Sequence, residues 1–151
     1  LPAVRSFSLK IQLLTLDGAS ALGQLLAAHC PQLRSLKLVM PGYPKAPYSH
    51  REELERVSHS KLVAVLESPA AKAIGSLTLQ SDDDDSMGLA ERELQLLARL
   101  INLEELHLPA SLISMCDDRL FGALAQLPRL RTLSMGILIM PDWHELLLCP
   151  V

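Results

Sequence analysis

Residues 97–108 read LARLINLEELHL, and residues 124–135 read LAQLPRLRTLSM. Both stretches begin Leu-Ala-x-Leu and continue with a six-residue pattern, apolar-x-x-apolar-x-apolar. The end of this pattern alternates between apolar and polar residues, which predicts a strand with one buried face, because successive strand side chains point to opposite sides. The leading Leu-Ala-x-Leu is typical of the end of a helix that packs on the same core. The two stretches therefore predict a helix that leads into a strand.

The six-residue pattern recurs along the whole chain. Self-similarity at a period between 20 and 50 residues indicates a repeat architecture, in which each unit shares its hydrophobic core with its neighbours. The intervals between copies are 29, 41, 29 and 27 residues, so the second unit carries an insertion of about twelve residues. The copies begin at Val4, Leu33, Ile74, Leu103 and Leu130.

The segments between the copies have helical periodicity. Leu94, Leu97 and Ile101 follow one another at spacings of three and four, which places them on one face of a helix. We predict an α/β fold in which residues 1–151 form a single domain of about five repeats. Its parallel sheet lies on the concave side of a solenoid and its helices lie on the convex side.

The composition agrees with a core built from leucine. The chain has 34 leucines and five aromatic residues, and its hydrophobic fraction of 49% excludes a disordered chain. Three cysteines without metal-ligand spacing exclude a disulfide scaffold, which favours an intracellular protein of the cytoplasm or nucleus. With a net charge of -3, the chain has no excess of positive charge that would attract nucleic acid or an anionic membrane.

The pattern Leu-x-x-Leu-x-Leu at this period resembles the leucine-rich repeat of αβ type, found in ribonuclease-inhibitor-like and F-box leucine-rich-repeat proteins. Residues 29–38, HCPQLRSLKL, are similar to the Cys-Pro-x-Leu-x-x-Leu-x-Leu variant of the F-box type. The resemblance covers nearly the whole chain and implies a horseshoe-shaped fold. The chain departs from the family after the strands, where Met40, Ser81 and Ala110 replace the usual Asn or Cys.

Two columns of polar residues are expected on the concave face of the sheet. They occupy strand positions that alternate with the buried apolar ones. We predict that these side chains contact a partner by hydrogen bonds; the alternative is that they are only solvated. The first column is Ser8, Lys37, Thr78, His107 and Ser134, and the second is Ser6, Ser35, Ser76, Glu105 and Thr132.

The insertion is predicted as a loop over residues 41–51. It contains both tyrosines, Tyr43 and Tyr48, and three prolines at every third position, a spacing that aligns them along one edge of a polyproline II helix. Such segments dock into aromatic-lined grooves. Either this loop takes part in partner recognition, or it is a stiff surface loop whose rings pack on the sheet edge.

Motifs for chemistry are missing from the sequence. The acidic run 82–85 lacks the alternating ligands and glycine of a calcium loop, and the His29/Cys30 and His144/Cys149 pairs lack zinc-site spacing. No phosphate-binding glycine loop, dinucleotide fingerprint or nucleophile elbow is present. We therefore predict no catalytic activity, no cofactor and no metal.

The sequence favours a protein-interaction scaffold. The alternatives are the substrate-receptor part of an F-box-type ubiquitin ligase and a structural subunit of a large assembly. Neither end of the sequence has the polar cap that repeat arrays need. We expect that the natural chain continues beyond Val151 into at least one more repeat; the alternative is that a partner, or a second copy of the chain through self-association, covers the exposed end.

Overall fold

The computed structural model describes residues 4–11, 15–40, 48–81, 91–109, 118–135 and 138–141. The strands are β1 (Ser6–Lys10), β2 (Ser35–Met40), β3 (Ser76–Ser81), β4 (Glu105–Leu108), β5 (Thr132–Met135) and β6 (Leu138–Pro141). The helices are α1 (Leu16–His29), α2 (Tyr48–Leu66), α3 (Pro69–Ala73), α4 (Glu91–Leu97) and α5 (Asp118–Leu124).

The strands form one sheet in chain order, β1 to β6. The first five strands are parallel, and β6 runs antiparallel to β5. Each pair of consecutive parallel strands is joined by a crossover that contains at least one helix, as parallel pairing requires. The α/β class and the five parallel strands confirm the coarse prediction from the sequence.

Leucines of the strands and helices form one hydrophobic core. Leu36, Leu77, Leu106 and Leu133 lie opposite one another in the register of the sheet and are fully buried. The helices contribute buried leucines to the same core, among them Leu62, Leu66, Leu97, Leu120 and Leu124. One face of the sheet is therefore covered by the helices, and the other carries the polar positions.

A repeated backbone contact fixes the register of the parallel strands. The carbonyl group of the residue just before each strand accepts hydrogen bonds from two consecutive N–H groups of the next unit. Arg34 and Ser35 donate to Arg5 at 2.8 and 2.9 Å, and Gly75 and Ser76 donate to Arg34, both at 2.9 Å. The carbonyls of Gly75 and Glu104 make the same contacts further along the sheet.

The insertion is only partly a loop. Helix α2 begins at Tyr48, so the expected boundary of 41–51 is wrong at its end, and residues 41–47 lie outside the described part. Helix α2 has 19 residues, against seven in α4, and the additional helix α3 follows it. Ser68 allows this helix to start, because its hydroxyl caps α3 by accepting from the N–H of Ala71.

Strand β6 is a feature that the repeat pattern does not predict. Met135 lies opposite Leu138 in the antiparallel register, so β5 and β6 are joined by a link of two residues. The edge of β5 is thereby paired, although we expected an open end there.

Candidate functional site

The two predicted polar columns are aligned across the parallel strands. Ser6, Ser35, Ser76, Glu105 and Thr132 follow one another in register from β1 to β5. The second column follows the same ladder and consists of Ser8, Lys37, Thr78, His107 and Ser134. We call the sheet surface formed by these ten residues the open face. Because adjacent strands are about 4.8 Å apart, five strands span roughly 19 Å.

Nine of the ten open-face residues are at least partly accessible. Ser6, Ser8 and Glu105 are exposed, and the others except Ser134 are half-buried. Ser134 is only 8% exposed, which differs from the expectation of an accessible column. It belongs to β5, where β6 pairs alongside with Ile139 opposite Ser134, so this position no longer lies at a sheet edge.

Charges of opposite sign lie on different strands of the open face. Lys37 is on β2, while Glu105 and His107 are on β4, two strand spacings or about 10 Å away. The Nε2 atom of His107 is 3.7 Å from Oε2 of Glu105, an ion pair when the imidazole is protonated. Thr78 separates Lys37 from His107 in the register. The open face therefore has a basic side and an acidic side with small hydroxyl groups between them.

A third row of residues extends the open face and was missed by the sequence analysis. Lys10, Val39 and Gln80 are in register on β1, β2 and β3, two residues beyond the second column. Lys10 and Gln80 are exposed, and Val39 is buried. These positions could have been found in the sequence, because residues two apart on a strand point to the same side. Lys10 adds a second cation to the basic side of the open face.

The open face brings a hydroxyl group next to a carboxylate–imidazole pair. His107 and Ser134 are cross-strand neighbours, and Glu105 contacts the imidazole. The Ser134 hydroxyl makes no hydrogen bond to His107 or to any other residue within the described ranges. A nucleophile and its base are typically in hydrogen-bond contact, and within the described ranges Ser134 and His107 are cross-strand neighbours without such a bond.

The remaining predicted site residues are the two tyrosines of the insertion. Tyr43 lies outside the described residues, and Tyr48 begins α2. Cys30 packs against the core, and no group of three or more metal-ligating side chains occurs in the described part of the chain. The acidic run 82–85 and the His144/Cys149 pair also fall outside the described ranges.

Comparison of the chain with known protein families, with curated proteins and with solved structures found no match. Among the described helices, none has the length and apolar character needed to cross a membrane.

Proposed function

We propose that the chain is a leucine-rich-repeat solenoid that acts as a protein-interaction scaffold, with the open face as its recognition surface. The observation that carries this proposal is the alignment of ten outward-facing positions over five parallel strands. The repeated carbonyl contact before each strand and the sequence period support the solenoid. A solenoid of this kind is curved, which places the open face on the concave side.

The side chains of the open face suit a polypeptide partner. Hydroxyl groups of serine and threonine both donate and accept hydrogen bonds, so they match the backbone and polar side chains of a protein. Lys37 and Glu105 fix the orientation of the partner, because complementary charges favour one binding register over others. The surface lacks a large apolar floor, which disfavours a small hydrophobic ligand.

Charge reversal on the open face tests the proposal. The tagged chain is used to purify partners from the cells that produce it, and bound proteins are quantified by mass spectrometry. We expect Lys37→Glu and Glu105→Lys each to reduce the recovery of the same partner at least tenfold, because each places a like charge opposite the partner.

Arg56→Glu is the matched control, since Arg56 is an exposed cation on α2, on the helix side of the sheet. This variant should recover the partner as the unmodified chain does. Equal recovery by all three variants would exclude the open face as the binding surface.

The sequence also predicts two alternative functions. A substrate-receptor role in an F-box-type ligase rests on the resemblance of residues 29–38, and a structural role in an assembly rests on apolar ends. Both, like the open-face proposal, predict a binding protein without catalytic activity or a cofactor.

A further inference from the structure

The return loops at the start of the strands form a second surface, distinct from the open face. Side chains of successive units are linked there: Nδ2 of Asn102 donates to the carbonyl of Lys72 at 2.9 Å, and Nη1 of Arg129 donates to Oδ1 of Asn102 at 3.2 Å. These contacts place three neighbouring loops side by side at one edge of the sheet. We name this surface the basic edge and define it by five residues, Lys72, Arg99, Ile101, Asn102 and Arg129.

A small cleft opens at the basic edge. It has a volume of about 260 Å³ and is lined by Lys72 and Arg99 above an apolar floor that includes Leu66, Leu96 and Leu100. Arg99 also lines a larger groove of about 460 Å³ between α4 and α5. Arg99 thus lies between the cleft and the groove, and both of them contain apolar surface.

An exposed apolar side chain lies among these cations. Ile101 is 57% exposed, the most accessible of the large apolar residues in the described part of the chain. It follows Arg99 by two residues and precedes Asn102. Large apolar side chains that are exposed on a surface are typical of the part of an interface that a partner buries.

Among the described residues, no carboxylate forms an ion pair with Lys72, Arg99 or Arg129. Glu67, which lines the cleft, is paired with Arg92 at 2.5 Å. Glu104 lies on the same edge, but no ion pair joins it to Lys72, Arg99 or Arg129 within the described residues. The positive charge is local, since the whole chain has a net charge of -3.

We infer that the basic edge binds an acidic segment of a partner protein in which carboxylates flank an apolar side chain. The carboxylates pair with Lys72, Arg99 and Arg129, and the apolar side chain packs against Ile101 and the cleft. Nucleic acid fits this surface less well, because no aromatic side chain is available there for base stacking and the acidic chain repels a polyanion.

An unbiased peptide selection tests this inference. A phage-displayed library of random dodecapeptides is panned against the full chain, with counter-selection against the Lys72→Glu/Arg99→Glu variant. We expect the enriched peptides to contain Asp or Glu next to Leu, Ile, Met or Phe. The best peptide should lose at least tenfold in affinity, measured by fluorescence polarisation, with the double variant and also with Ile101→Asp.

Two controls make the selection specific for the basic edge. Arg56→Glu on α2 should leave the affinity of the peptide unchanged, and circular dichroism should show that every variant is folded. Enriched peptides without acidic residues, or equal affinity for the double variant, would overturn the inference. Tighter binding of a 20-nucleotide single-stranded DNA, abolished by the same double variant, would also overturn it.

Discussion

Gly23 shows at the level of one residue how closely α1 approaches the turn before α3. A Cβ atom built on Gly23 would lie 2.3 Å from Cβ of Ser68, far inside van der Waals contact. Ser68 is held in place, because its hydroxyl donates to the carbonyl of Val65 at 2.6 Å and caps α3. The neighbour therefore cannot move aside without loss of these hydrogen bonds.

We predict that Gly23→Ala destabilises the protein by about 1–3 kcal/mol, the usual cost of overpacking. Urea unfolding followed by circular dichroism measures the change. Gly122→Ala is the matched control, because Gly122 is also within a helix but has open space around the added Cβ. This control should be stabilised by roughly 0.5–1 kcal/mol, since alanine is the better helix former. Equal effects of the two substitutions would contradict the close approach of α1.

Helices α2 and α4 are joined through a buried polar contact. Nδ1 of His59 contacts Oε1 of Glu93, and the Glu93 side chain is 1% exposed whereas that of His59 is 17% exposed. A buried carboxylate is costly unless it is paired, so this contact constrains how the two helices pack. The neighbouring pair of Arg92 and Glu67 is exposed and adds little to stability.

The free energy of unfolding should fall more when one partner of this contact is replaced than when both are replaced. We predict that His59→Leu destabilises the protein by about 1–3 kcal/mol, because the buried carboxyl group of Glu93 loses its contact with the imidazole. The double variant His59→Leu/Glu93→Leu should recover a large part of this loss. Urea unfolding of the two variants provides the comparison, and a double variant less stable than the single one would disprove the explanation.

The elements differ in how far the sequence determines them. The five parallel strands were predictable, because a leucine such as Leu77 at a fixed period must reach a shared core. The boundaries of α2 and the presence of α3 were not, since the insertion has its own composition and no second copy for comparison. Strand β6 was missed because a hairpin depends on the short link after Met135 and not on the repeat.

The candidate site follows the same division. The alignment of the two polar columns was predictable, because each copy of the six-residue pattern has the same internal spacing, which puts equivalent residues in register. The burial of Ser134 was not, since it depends on β6. The basic edge was also missed, because Lys72, Arg99 and Arg129 lie far apart in the sequence and only the packing of the return loops unites them.

For the molecule as a whole, the sheet separates a buried leucine side from an accessible polar side. Leucines on one face of the sheet share a core with the helices. The side chains of the opposite face do not belong to this core. On the proposed function, the accessible polar residues of that face are the ones that contact a partner. A partner that bound both the open face and the proposed basic edge would gain affinity from their combination.

The most direct test of the open face is a map of partner contacts by photo-crosslinking. Benzoylphenylalanine is placed singly at Ser35, Ser76, Gln24 or Arg56, and the purified partner complex is irradiated and analysed by mass spectrometry. Gln24 and Arg56 are exposed residues of helices α1 and α2. We predict crosslinks from Ser35 and Ser76 and none from the two helix positions. Crosslinks from the helix positions alone would contradict the central claim.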